Sequence, residues 1–418
     1  MESEEQLREL YLAETNEKNA IWRGRETKKY IKWKRKRLLA KLMVNPIDID
    51  FSIDGTIYKI FKREKRTTIR PLKQKWKDVL KEFRLNTNGI IPLHLYWKKR
   101  DEYGFRFLIT KLLKIEPYNL NEMTEKDANI DGFGNKDKLL EFLLGIYGDD
   151  YSNDEFVKIW WDTNWDRYPI DPVKTSIDWY DKLGQELYTI NPLVIHKPNT
   201  DWKNCPFLCV YCYARGMYIW QADSFQEGFY EGRLIGLKYA KDNVFFESTT
   251  DLFHNSIPLD LIKLFVELAH KYNSKNRCRL HYLTKNPARY KETLNFFTED
   301  YDWLGTTIES NTYKYQGKKH ISFAPTPEER LDILSEIDFP RLFISLEPVL
   351  EFNKILVKKI IETGAKFVII GANSNRLTIN KLNEPTKKDV EDLTKELERN
   401  KIQVIRKDNL TRITNKEV

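Results

Sequence analysis

The chain has 418 residues, 41% hydrophobic and 13% aromatic, with a formal charge of +8. That apolar share supports a large core and excludes wholesale disorder. No apolar run approaches the ~20 residues of a membrane-spanning helix, and the acidic start MESEEQLREL lacks the apolar stretch of a secretion signal, so a cytoplasmic protein with no membrane partner is expected.

In chain order, residues 4–15 and 27–43 read as helices, 50–61 as a hairpin turning at Asp54-Gly55, and 72–83 and 136–145 as helices. These make an α+β N-terminal domain over residues 1–190. Its charge is uneven. WRGRETKKYIKWKRKR, from Trp22 to Arg37, holds nine Lys/Arg and one Glu, a net +8. Cations there can pair with phosphates, and interleaved aromatics can stack on unpaired bases. Trp22, Arg23, Arg25, Lys32, Trp33 and Arg35 are therefore candidates for contact with DNA or RNA. The alternative is a solvated helix whose aromatic stripe packs inward. Residues 121–182 run the other way, with fifteen Asp/Glu against seven Lys/Arg. Within them, KIWWDTNWDRYP (158–169) could cover the basic surface from inside the molecule.

From residue 191 the pattern changes to short apolar runs alternating with longer amphipathic ones. Strands are expected at Leu193–His196, 244–248, Arg279–Thr284, 303–308, 341–347, 366–371 and Gln403–Arg406. Helices are expected at 259–272, 288–297, 327–337, 353–363 and 387–400, with a weaker one at 224–240. Thr326-Pro327-Glu328-Glu329 carries Thr at N-cap, Pro at N1 and Glu at N3, a strong helix start. Repeated β-then-α implies an α/β barrel or doubly wound sheet over 191–410, with ligands at the C-terminal strand ends. Residues 411–418 read as a loose tail.

Three of the four cysteines, Cys205, Cys209 and Cys212, stand as C-x3-C-x2-C in NCPFLCVYCYARG, just past the first expected strand. In a reducing compartment such crowding points to metal or redox chemistry rather than to disulfides. Structural zinc takes four ligands, commonly from two arms, and no second arm lies nearby. Closely spaced thiolates also hold iron–sulfur clusters, and three ligands leave one iron of a [4Fe–4S] cluster open. Cys278 sits at the N-terminal end of its strand. Six residues at about 3.3 Å each put it about 20 Å from the strand's other end, so it reads as a packed thiol. The six histidines form no metal set; His254 is the best placed.

C-x3-C-x-Φ-C with aromatic Tyr211 at Φ resembles the radical S-adenosylmethionine (SAM) superfamily. The segments VFFESTTDLFHNSIP, HYLTKNPARY, WLGTTIES, LFISLEPVL and FVIIGANSN further resemble a phage-borne radical-SAM family of unassigned activity. CVYCYAR and the strand-end pattern are similar to spore photoproduct lyase, which repairs a thymine dimer in DNA. The resemblance implies a partial (β/α)6 barrel and a [4Fe–4S] cluster on Cys205, Cys209 and Cys212. It also implies SAM on the open iron, reductive cleavage to a 5′-deoxyadenosyl radical, and an electron donor such as flavodoxin or ferredoxin. It carries cofactor contact onto Tyr211 and onto the strand ends. Glu247, Ser248 and Thr249 stand where the superfamily usually has Gly-Gly-Glu for the cofactor amino group. Lys285 would meet the carboxylate, and Glu309 and Asn311 the ribose. Glu347 and Asn373 complete the set. Polar residues at strand ends also cap helices and close turns, which is the alternative reading of each. Two further readings stay open: modification of a peptide or protein, and a nucleic-acid-binding module with a structural cluster.

Overall fold

A computed structural model describes residues 11–12, 21–22, 25–26, 47–51, 56–62, 64–85, 92–97, 105–147, 155–161, 173–174, 177–180, 184–196, 203–214, 228–311, 321–375 and 382–415. The chain divides into two compact units. One holds Met1–Ile49, Lys62–Leu95 and Ile109–Trp165; the other holds Asp50–Phe61, Tyr96–Leu108 and Asp166–Val418. The division thus falls near residue 165 rather than 190, and two N-terminal segments join the second unit.

The second unit is built on an eight-stranded sheet whose order follows the chain. Its strands are β1 (Val173–Lys174), β2 (Leu187–Ile190), β3 (Asn243–Phe246), β4 (Arg279–Thr284), β5 (Asp302–Thr307), β6 (Leu342–Leu346), β7 (Phe367–Ile370) and β8 (Gln403–Arg406). β2 to β8 are parallel and β1 is antiparallel to β2. Seven parallel strands in sequential order form a half-barrel, the arrangement βα repetition favours. The connections carry α1 (Leu259–Asn273), α2 (Ala288–Thr293), α3 (Pro327–Ser335), α4 (Ile355–Glu362) and α5 (Lys387–Arg399). α3 starts as its sequence dictates: Thr326 and Glu329 form a reciprocal capping box with Pro327 in the first turn.

Alternation along the strands sorts their side chains onto two faces. One face meets an aromatic core of Trp179, Tyr180, Phe245, Phe343 and Phe367, to which residues 177–180 contribute. His281 is buried among these rings, bonded through Nε2 to the Tyr180 hydroxyl at 2.7 Å. Burial pushes its pKa down to about 3, so it is neutral. Gly305 fits here because it has no side chain: a Cβ would lie 2.4 Å from the Phe343 ring.

Four expectations are corrected. Leu193–His196 is a strand, but it pairs antiparallel with Lys203–Asn204 and Gly228–Phe229 in a separate small sheet. The first parallel strand is instead β2, whose register against β3 runs from Leu187–Asn243 to Ile190–Phe246. The expected hairpin at 50–61 contains helix Thr56–Phe61. Ile57, Ile60 and Phe61 recur at helical spacing and are buried, and Asp260 Oδ2 accepts the Ile57 and Tyr58 N–H groups, capping the first turn. Residues 224–240 hold strand Gly228–Phe229, short helix Glu231–Leu234 and a 3-10 turn, Ile235–Lys238, rather than one helix. Thr411–Thr414 is a helical turn with Ile413 buried, not a loose tail. Arg412 anchors it with a bidentate pair to Glu384.

In the first unit, Thr67–Pro71 and the 112–118 part of strand Phe105–Tyr118 flank Phe156–Trp161 as antiparallel neighbours. Helices Glu125–Ile130 and Lys136–Tyr147 help close a core around Ile69, Met123, Leu139 and Phe156. Lys158, fully buried, pairs with Asp127 and sits 5.1 Å from the Tyr118 ring centre. The start of the acidic, Trp-rich segment is therefore a core strand. The expected helix at 27–43 lies outside the described residues, as do Arg23, Lys32, Trp33 and Arg35. The backbones of Trp22 and Arg25 are partners in a short antiparallel pair.

Candidate functional site

The parallel strands end on one cavity of about 770 Å³. Every strand from β3 to β8 sends lining residues to it from at or just past its C-terminal end. Among them are Glu247 to Asp251, Thr284 and Lys285, Thr307, Ser345 and Glu347, Asn373, and Lys407 to Asn409. Cys205, Cys209 and Cys212 line the same cavity together with Tyr211 and Tyr213. Its size suits a small-molecule ligand, and strand C-termini are where α/β sheets place such sites.

The cysteine loop is held from several sides. Val210 N–H donates to Ile321 O at 2.8 Å, and Phe323 N–H to Phe207 O at 2.8 Å, so the loop pairs with the segment before α3. Leu208 adopts a left-handed backbone (φ 50°), which turns the chain between Cys205 and Cys209. Cys212 N–H donates back to Cys209 O at 3.1 Å. Asn375, beyond β7, donates to the carbonyls of Val210 at 3.4 Å and Cys212 at 3.2 Å. His254 packs edge-to-face on Phe207, ring centres 4.8 Å apart, with Nδ1 bonded to Ser256 at 2.8 Å. The Cys209 thiol lies 3.2 Å from the Ser322 hydroxyl. Burial and the neighbouring Cys209, Asp251 and Cys212 push the Cys205 thiol well above its ordinary pKa. Among the described residues, no group of three or more His, Cys, Asp or Glu could hold a metal ion.

Glu309 knits the site together beneath the loop. Oε1 accepts from the Tyr211 hydroxyl and from Lys285 Nζ. Oε2 accepts from Arg330 Nη2 at 2.7 Å. Burial alone would raise its pKa, but Arg330 and Lys285 outweigh burial and hold it down at about 2. Glu309 and Asn311 border a separate 160 Å³ recess beside α3 and do not line the main cavity. Asn311 is engaged with Asn353, donating to its Oδ1 at 2.6 Å.

Glu247 behaves differently. It is 3% exposed, its backbone is left-handed (φ 56°), and Oε1 accepts the Leu193 N–H at 2.8 Å. Oε2 has no hydrogen-bond partner. Burial pushes this carboxyl well above the usual range. A strained backbone and a half-satisfied buried acid on a cavity wall are marks of a functional position. Asp251, by contrast, is fully engaged: Thr284 Oγ1, Phe253 N–H and Lys285 N–H all donate to it. Burial raises its pKa to about 6.

Ser248, Thr249, Glu347 and Asn373 all line the cavity, as their strand-end positions imply. Glu347 pairs with Lys407 Nζ at 2.5 Å, and Lys407 also faces Asp178 at 3.4 Å. Lys407, Asn409, Asp178 and Trp179 escaped the sequence reading. The first two follow β8 as the others follow their strands, so the same strand-end rule would have found them. Nothing local marks Asp178 or Trp179. Cys278 is buried, donates to Ala240 O at 3.4 Å and is absent from the cavity wall.

No family model matches the chain, and no curated protein matches it. Among solved structures, the chain is similar to protein EF3133 from Enterococcus faecalis V583, family model DUF984. The two share 13% identity over 32% of this chain and 88% of that one, with a TM-score of 0.19. A likeness at that level carries no argument. Among the described residues, no helix is long and apolar enough to cross a membrane.

Proposed function

We propose that this chain is a radical-SAM enzyme that modifies or repairs a nucleic acid. One observation carries the reading: three closely spaced cysteines line the cavity at the C-terminal ends of a parallel half-barrel. The donor set fits a [4Fe–4S] cluster better than a single ion. A cluster gives each thiolate its own iron, whereas one ion needs its ligands gathered at bonding distance around a single point. When bound, cluster and SAM together supply a reductively generated radical.

The chain's own residues have distinct roles in this reading. Cys205, Cys209 and Cys212 would each hold one iron of the cluster. Glu247 lines the cavity and keeps one buried carboxyl oxygen without a partner. Ser248, Thr249 and Asn373 supply hydrogen-bonding groups around the same cavity. Lys285 and Tyr211 both hydrogen-bond Glu309 and both line the cavity. The aromatic side of the cavity, with Trp179, Phe245 and Leu283, excludes water from the reacting centre. An external one-electron donor such as flavodoxin or ferredoxin would supply the electron.

Nucleic acid is the proposed substrate because of the +8 charge and interleaved aromatics between Trp22 and Arg37. The test is anaerobic: reconstitute iron and sulfide, add SAM and dithionite, and assay 5′-deoxyadenosine with DNA, RNA or peptide present. Product stimulated by nucleic acid supports the reading. Stimulation by peptide alone transfers it to protein modification. A full cluster with no product under any condition leaves a binding module with a structural cluster.

A further inference from the structure

Glu309 holds two cations on one carboxylate. Glu309 is ionised, and its two oxygens take one lysine and one arginine. Among the described residues, neither Lys285 nor Arg330 pairs with any other carboxylate. Arg330 is 2% exposed and spends its other donors on neutral carbonyls: Nε on Pro325 O at 2.9 Å, and Nη1 on Thr307 O. By direct ion pairs the trio carries one more positive than negative charge, with Asp251 as a further acid accepting the Lys285 N–H. A buried positive charge is costly unless a negative group lies close by.

The cysteine loop is joined directly to this trio. Tyr211 lies between Cys209 and Cys212, donates to Glu309, and has Lys285 Nζ 5.1 Å from its ring centre. Resting on the cluster reading above, we infer that Lys285, Glu309 and Arg330 form the counter-charge of the cysteine site. They anchor the loop through Tyr211 and set how readily the cluster takes up an electron. Reduction adds a negative charge, and a fixed positive charge in a low-dielectric surround stabilises the reduced form. These are positioning residues: they act through Tyr211 and through the field, without touching the reacting atoms.

The test compares the reconstituted parent with Lys285→Met, Lys285→Arg and Glu309→Gln. Iron and sulfide per chain are counted, and the midpoint potential is read by EPR-monitored redox titration. Lys285→Met removes a positive charge, so the potential falls while cluster content holds. Lys285→Arg restores it. Glu309→Gln keeps an acceptor for Tyr211 but removes a negative charge, so the potential rises. Equal potentials in all four proteins, or shifts of one sign for both charge-removing variants, overturn the inference and leave the cluster reading intact. A parent chain that assembles no iron–sulfur cluster overturns the reading beneath it, and this inference with it.

Discussion

Glu247 accepts the Leu193 backbone N–H through one carboxyl oxygen at 2.8 Å, while its other oxygen is buried without a partner. This bond ties the end of β3 to the strand that precedes the cysteine loop. It also holds an acid where its charged form is disfavoured.

The pH consequence has a definite sign. Burial raises the folded pKa of Glu247 above the ordinary value of about 4.3. Its contribution to stability is therefore full below that value and is lost as pH rises through the folded pKa. Gln cannot ionise. In urea unfolding from pH 5 to 9, Glu247→Gln should gain stability relative to the parent as pH rises. A difference that stays constant across the range would mean that the carboxyl does not titrate in the folded protein.

Arg330 should be among the most sensitive positions in the fold. Arg330→Met leaves Glu309 buried with one cation instead of two, and breaking a buried pair typically costs about 3–5 kcal/mol. Because Glu309 is held down at about 2, its contribution is present above about 4.3 and is lost as pH falls through 2. The stability gap between parent and variant should be full at pH 7 and shrink as acid is added. A gap unchanged at low pH would assign the loss to packing instead.

Gly305→Ala tests the aromatic core, whose Trp179 and Phe245 also line the cavity. The added Cβ meets Phe343, which stacks on Phe367 with ring centres 5.0 Å apart and planes 16° from parallel. Phe343 has little room to retreat, so the variant should lose about 1–3 kcal/mol in denaturant unfolding, the usual cost of overpacking. A neutral result would show that the core repacks freely.

Asn375 spans from β7 to the cysteine loop, donating to the Val210 and Cys212 carbonyls. Asn375→Ala removes both bonds and should lower iron and sulfide per chain after reconstitution while the far-UV circular dichroism stays that of the parent. Full cluster loading in the variant would show that the loop needs no such tether.

Strands were legible where alternation and length agreed. β4 and β8 have the bounds their apolar runs imply. β2 was not, because LYTI and LVIH stand two residues apart and LVIH is the more apolar. Which of them joins the parallel sheet depends on partners far along the chain, a tertiary property. The hairpin at 50–61 failed because Asp54-Gly55 outweighed the helical spacing of Ile57, Ile60 and Phe61. The turn at Thr411–Thr414 is set by Glu384, a partner 28 residues away, which local composition does not reveal. At the site, the strand-end rule located much of the cavity wall. It could not tell which carboxylates face ligand. Glu247 follows β3 and Glu309 follows β5, with β4 between them, yet Glu309 is consumed by two cations and Glu247 has a buried oxygen without a partner. Lys285 from the end of β4 and Arg330, reaching in from α3, make that difference.

The central claim is that the three cysteines hold a cluster with a site for SAM. The most direct measurement is low-temperature EPR of the anaerobically reconstituted, dithionite-reduced chain, with and without SAM, beside Cys205→Ala, Cys209→Ala and Cys212→Ala. The account predicts a reduced [4Fe–4S] signal in the parent that changes when SAM is added, and loss of that signal in each variant. A parent signal indifferent to SAM, or a variant that keeps the full signal, would contradict it.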